Sequence, residues 1–171
     1  MRAASSTADG SRPTATGPST TSLQAATVGA EGMLLGRRSY DILRQAWSTA
    51  DDSEPAVAAM NRMPKYVVSS SAGELAWSNS HLLGGELSLA VAELTDRAEG
   101  DLVIFGSATL VRGLARHDLV DEYRLLLFPV VLGAGKRIFD ENAHRAEFTL
   151  TDSLVTSGGV AVLTYTRDPS G

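Results

Sequence analysis

The chain contains no cysteine. Disulfides, thiolate metal sites and a cysteine nucleophile are therefore excluded at the outset. Histidine is nearly as scarce: only His81, His117 and His144 occur, and no two stand at a metal-ligand spacing. Positive charge is in the minority, with 15 Lys+Arg against 20 Asp+Glu and a net charge of -5. That balance argues against a general nucleic-acid or anionic-membrane surface, while leaving room for a local basic pocket. No apolar run approaches membrane-spanning length, and the amino terminus has no hydrophobic signal core. The expectation is a soluble, cytoplasmic protein with neither nucleic acid nor membrane as partner.

What is present is ordinary globular material. The 171 residues are 43% apolar and 20% charged, which is enough to bury the core of one domain. The low-complexity opening is the exception. Residues 1–22 are nearly all Ala, Ser, Thr, Gly, Pro and Arg, and after Met1 no aliphatic side chain larger than Ala appears until Leu23. Such a stretch buries too little to offset its ordering entropy, so disorder is expected over 1–22 and a domain over 23–168.

Within the domain, strand and helix patterns alternate. "SLQAATVGAE" suits a short helix, "GMLLG" a buried strand, and "RRSYDILRQAW" a helix with Tyr40, Leu43 and Trp47 on one face. "EPAVAAMNRM" is a helix with Pro55 near its first turn and Pro64 stopping it. "KYVVSSS" and "DLVIFG" read as strands, "ELSLAVAELTDRA" and "SATLVRGLARH" as helices, and "DEYRLLLFPVVLG" as a long strand broken at Pro129. The terminal "AEFTLTDSLVTSGGVAVLTYTR" is a hairpin turning at Ser157-Gly158-Gly159. Alternating strands and helices need crossovers and favour parallel pairing. The fold class expected is α/β: a three-layer αβα domain with a mixed, mainly parallel sheet and a carboxyl-terminal antiparallel hairpin.

Open α/β sheets bind ligands beyond the carboxyl ends of their parallel strands. Three such ends are chemically suggestive. Gly36-Arg37-Arg38-Ser39 offers two guanidinium groups and a hydroxyl at a helix start, a combination that grips phosphate, although solvated charges fit equally well. Ser69-Ser70-Ser71 follows a strand and suits a turn as well as a site. Gly106, Ser107, Ala108 and Thr109 line another helix start, where small residues let a pyrophosphate approach the backbone; the alternative is a tight turn with Ser107 as cap. None matches a GxGxxG, P-loop or GxSxG pattern. His81 and His144 fall in expected loops and His117 at a helix end, with no nucleophile-base-orienter set.

Taken together, "GMLLGRRSYDIL", "MPKYVVSSS", "FGSATLVRGL", "HDLVDEYRLLLFPVVLGAGKRIF" and "SGGVAVLTY" resemble the dihydrofolate reductase-like superfamily, in the bacterial branch similar to the reductase half of the riboflavin-biosynthesis deaminase-reductase. The resemblance runs roughly from Ala30 to Thr166, as bounded by its turn residues. It implies NADPH as cofactor, with Gly36, Arg37, Arg38 and Ser39 toward the adenosine 2'-phosphate. Ser69 and Ser70 would lie near the ribose and base, and Gly106, Ser107, Ala108, Thr109 and Leu110 around the pyrophosphate. The activity implied is hydride transfer to a pterin- or pyrimidine-like small molecule; no catalytic residue and no metal ligand is assigned. A non-catalytic nucleotide-binding relic and a structural homodimer joined through the hairpin are the other two readings. One departure stands out. Members of the superfamily begin with an apolar strand that lies inside the sheet, and here the low-complexity segment stands in its place. The expectation is a domain lacking that strand, with a truncated, shifted or divergent start.

Overall fold

The computed structural model describes residues 2–5 (backbone), 29–70, 73–139 and 145–168. Their strands form one eight-stranded sheet in the order β4-β3-β2-β5-β1-β6-β8-β7. The strands are β1 (Arg2–Ser5), β2 (Gly32–Gly36), β3 (Lys65–Val68), β4 (Ser80–Leu83), β5 (Leu102–Phe105), β6 (Glu122–Leu127), β7 (Phe148–Val155) and β8 (Ala161–Arg167). The first six are parallel to one another, while β8 runs antiparallel to β6 and β7 antiparallel to β8. Four helices connect them: α1 (Arg37–Trp47), α2 (Pro55–Arg62), α3 (Leu87–Arg97) and α4 (Ala108–Ala115).

The three layers follow from the period-two alternation of strand side chains. In β2, Met33 and Leu35 face one core with Tyr40 of α1, Met60 of α2, Val67 and Trp77. Leu34 faces the other, with Val91 of α3 and Leu110, Val111 and Leu114 of α4. In β5, Val103 and Ile104 divide in the same way. Strands buried on both faces carry continuous apolar runs, which is why "GMLLG" and "LVIF" signal themselves in the sequence.

The structure corrects the expectation of a missing strand. Arg2–Ser5 lies between β5 and β6, with Ala3 opposite Ile104 on one side and Tyr123 on the other. The internal position is filled, and by residues inside the stretch expected to be disordered. Two neighbours with unpaired ladder groups supply the stabilisation that side-chain propensity does not. Residues 6–28 lie outside the described residues, as does most of the expected helix over 22–31; Gly29 to Glu31 are not helical. Two further differences are local. His81 sits in β4 rather than a loop, and the long strand expected to be broken at Pro129 ends at Leu127 and does not resume beyond that proline, which has no N–H for a ladder.

Lys65 shows how tightly the amino end of β3 is packed. The side chain is fully buried, with Nζ donating to the carbonyls of Asn61 (2.8 Å) and Ser78 (3.0 Å) and lying 4.6 Å from the centroid of the Trp77 ring. Burial pushes its ammonium down to about 8 from the ordinary 10.5. The unfolded chain therefore binds more protons between these values, and stability rises with pH from about 8 toward 10, by at most about 1.4 kcal/mol per pH unit from this group. Above 10 the Tyr123 phenol, pushed up by burial, acts in the opposite sense. Urea unfolding at about pH 7.5 and about pH 9.5 measures the slope, and Lys65→Met should flatten it.

Candidate functional site

The strand order reverses direction between β2 and β5. From β2 the chain leaves through α1 on one face of the sheet, and from β5 it leaves through α4 on the other. Such a switch point opens a crevice at the carboxyl edge. Here the two exits touch: a Cβ placed on Gly36 would come 2.7 Å from Ser107 Oγ, so any larger residue at the end of β2 would displace that hydroxyl.

The turn into α4 is built from two successive left-handed residues, Gly106 (φ +66°) and Ser107 (φ 59°, ψ 61°). This conformation costs a serine roughly 1–2 kcal/mol. A left-handed Ser107 followed by the right-handed helical Ala108 turns neighbouring N–H groups toward a common concavity, the arrangement used by anion-binding loops. Ser107 makes no side-chain cap, and neither does Gly36 at the start of α1. The side-chain cap that the tight-turn reading gave Ser107 is absent, while the turn itself is tight. The beginning of α3, at the edge of the sheet, is closed instead: the Glu86 carboxylate accepts from the N–H groups of Ser88 (3.1 Å) and Leu89 (3.0 Å). Hydrogen bonds from Ser88, then Leu89, pull that carboxyl down to about 2. A carboxylate of the chain itself thus occupies one helix start, while the two flanking the switch point stay uncapped and carry the positive end of the helix dipole.

The structure places the other expected site residues unequally around this crevice. Arg38 and Thr109 are exposed, and Ser39 and Ala108 are half-buried. Leu110 points into the core, so only its backbone is available to a ligand. Ser69 and Ser70 follow β3, the strand beside β2; Ser71 lies outside the described residues. Arg37 is engaged within the protein. Its Nε pairs with Asp41 at 3.2 Å, Nη2 donates to the Glu74 carbonyl at 3.4 Å, and the guanidinium lies 5.9 Å from the Tyr40 ring centroid. Gly73 lies against this guanidinium: a Cβ there would come 2.7 Å from Arg37 Nη1 and push it aside. That Nη1 is buried and has no hydrogen-bond partner among the described residues, an unsatisfied donor beside the crevice.

Sequence reasoning did not find the partners of Arg37. The segment it grips is anchored further along, where the Trp77 backbone N–H donates to Tyr40 Oη (2.7 Å) and Trp77 Nε1 to Asn61 Oδ1 (2.9 Å). These contacts bridge positions far apart in the chain and leave no local pattern. Among the described residues no group of His, Asp or Glu suits a metal ion. His81 pairs with Asn79 and lies 5.8 Å from the Tyr66 ring, away from the crevice. His117 is exposed beyond α4, and His144 lies outside the described residues. None of the helices among the described residues is long and apolar enough to cross a membrane.

The family whose sequence model matches this chain is the RibD C-terminal domain, over residues 3–162. The chain belongs to that family. Its match begins within β1, in keeping with a filled central position in the sheet. The chain is also similar to the uncharacterized protein YyaP of Bacillus subtilis (strain 168), 27% identical over 136 residues, covering 78% of this chain and 72% of YyaP. Solved structures share the fold. A Shewanella sp. PV-4 protein carrying a riboflavin-biosynthesis name superposes with a TM-score of 0.68 at 20% identity, over 92% of this chain and 84% of that one. A pyrimidine reductase-like protein from Corynebacterium diphtheriae gives 0.56 at 11% identity, over 98% and 90%. RibD of Acinetobacter baumannii gives 0.61 at 12%, and this chain spans 56% of it.

Proposed function

We propose that this RibD-type domain is an NADPH-dependent reductase acting in the cytoplasm on a pterin- or pyrimidine-like heterocycle. The observation that carries the reading is the uncapped start of α4, with Gly106 and Ser107 both left-handed and touching Gly36 at the switch point. The residues fit a dinucleotide. Gly106 to Leu110 would hold the pyrophosphate through backbone N–H groups and the helix dipole. Arg38, exposed at the mouth, would meet the 2'-phosphate with Ser39 beside it, and Arg37, whose Nη1 is buried, would add its positive charge from behind. Ser69 and Ser70 would border the ribose. NADPH supplies the hydride; the protein's part is binding and orientation.

A nucleotide-binding domain without turnover is the second reading, and one observation favours it. Among the described residues, the carboxyl ends of β2, β5 and β6 carry no Asp, Glu or His to supply a proton, apart from Asp41, which Arg37 holds.

Thermal melts with NADPH and with NADH test binding, and loss of NADPH absorbance with candidate heterocycles tests turnover. Ligand at about a hundred times its dissociation constant adds roughly 2.7 kcal/mol, a shift of several degrees. Arg38→Ala should remove a charge-assisted contact of about 1.5–3 kcal/mol, weakening NADPH roughly ten-fold or more with little change for NADH. Equal effects on both nucleotides would remove Arg38 from the phosphate site, and no shift with either would sink the nucleotide reading itself.

A further inference from the structure

Strands β3 and β4 pair in parallel, so the chain between them must return from the carboxyl edge of the sheet to the amino edge. Such a crossover is usually a helix, which satisfies its own backbone. Here the described residues 73–76 are neither helix nor strand, and side chains from elsewhere hold them. Leu75 and Trp77 turn inward to the core that contains Met33 and Leu35, while Glu74 and Ala76 alternate with them and are exposed. Tyr40 of α1 ties the lower part: its Oη accepts from the Trp77 N–H, and the two ring centroids lie 6.1 Å apart. Arg37, one helical turn earlier, ties the upper part. Its Nη2 donates to the Glu74 carbonyl, its Nε pairs with Asp41 one turn on, and Gly73 lies against Nη1.

We propose that Arg37 is a positioning residue, a staple that holds this strap against the start of α1 and so fixes the adenosine end of the crevice. The inference rests on the nucleotide reading. The crossover begins where Ser69 and Ser70 would border the ribose, a part that NADPH and NADH share. Its upper anchor is the first residue of α1, whose uncapped start flanks the switch point. An irregular segment with no ladder opens locally once an anchor is lost, and the residues leading into it lose their fixed position as well. The guanidinium suits the task, because its planar fork serves a carbonyl and a carboxylate at once, whereas an ammonium is a single point charge. Two of its nitrogens are engaged inside the protein and the third is buried, while the adjacent Arg38 is exposed. The two arginines therefore divide the work. Arg38 reads the extra phosphate, and Arg37 sets the frame in which either nucleotide is held.

Arg37→Lys keeps the charge and removes the fork. It should weaken NADPH and NADH by the same factor, about ten-fold, in titration calorimetry. Without nucleotide, a glutamate-specific protease should cut after Glu74 several-fold faster than in the wild type, since cleavage needs a strap that has come loose. Gly73→Ala attacks the same contact from the other side: its methyl would press on Nη1 at 2.7 Å and should reproduce both effects with Arg37 intact. Both variants should keep the wild-type circular dichroism spectrum, because the core contacts of Tyr40 and Trp77 are untouched. Arg38→Ala is the comparison, lowering NADPH alone and leaving the cleavage rate unchanged. If Arg37→Lys weakens only NADPH, Arg37 meets the phosphate directly and the staple is overturned. Faster cleavage with unchanged affinity for both nucleotides would make it a structural tie with no part in binding, which overturns the proposal equally, as do variants that match the wild type in both assays. A wild type that binds neither nucleotide defeats the nucleotide reading and the positioning role with it, while the cleavage rates still decide whether Arg37 holds the strap.

Discussion

Gly106→Ala is expected to lower NADPH affinity by about 100-fold or more while leaving a folded protein. The new methyl would meet no protein atom within 4 Å, so it points into the space where a ligand would lie. Two effects follow and are separable. The left-handed backbone, φ +66°, makes alanine cost roughly 1–2 kcal/mol of stability, a fall of several degrees in Tm. The ligand loses more. Holding a pyrophosphate away from two N–H groups forfeits about 1.5–3 kcal/mol each, and 3 kcal/mol already exceeds a hundred-fold. Titration calorimetry with NADPH, alongside a melt of the unliganded variant, measures both. A lowered Tm with unchanged affinity would return Gly106-Ser107 to the status of a strained turn.

Ala4→Pro is expected to abolish the cooperative melt. Ala4 pairs with Phe105 of β5 and Arg124 of β6, so it is interior to the sheet on both sides. Proline there removes a ladder donor and drives its ring toward a neighbouring strand, at about 3 kcal/mol or more. Against a typical total of about 5–15 kcal/mol, and with β5 and β6 losing their shared neighbour, most of the margin disappears. Deleting residues 2–5 should be at least as severe. A melt unchanged by either alteration would mean that β5 and β6 hold the sheet together without β1.

The contrast between β1 and the other central strands shows what was legible in the sequence. β2, β3 and β5 advertise themselves because burial on both faces demands unbroken apolar runs, and α1, α3 and α4 because one face must be apolar. Arg-Ala-Ala-Ser has no β-branched or aromatic residue; its strand exists because two neighbours need it, and that need is written at residues 102–105 and 122–127. β4, no shorter than β3 or β5, has no residue fully buried and so carries no strong apolar run. The "PVVLG" run misleads in the other direction, since apolar residues suggested a strand where the chain leaves the sheet with them exposed. The site divides similarly. Glycines at 36 and 106 mark tight strand exits, but a left-handed serine at 107 has no signature. The tie from Arg37 to Glu74 spans 37 positions and is visible only once the chain has folded.

The placement of β1 also sets the order in which the molecule is assembled. The strand that leaves the ribosome first has partners beginning at Leu102 and Glu122, which are among the later parts to be made. At roughly 5–20 residues per second, its second neighbour follows about 6–24 seconds behind. Throughout that interval β1 has no ladder to join, and when β5 and β6 emerge each shows an open edge toward the gap. Closing it brings together the paired strands farthest apart in sequence, at the full entropic cost of a long loop, so β1 insertion is the late and slow event of folding. Proteins with this topology gain from a chaperone that shields β5 and β6, and their refolding yield falls with concentration well before their equilibrium stability is exhausted.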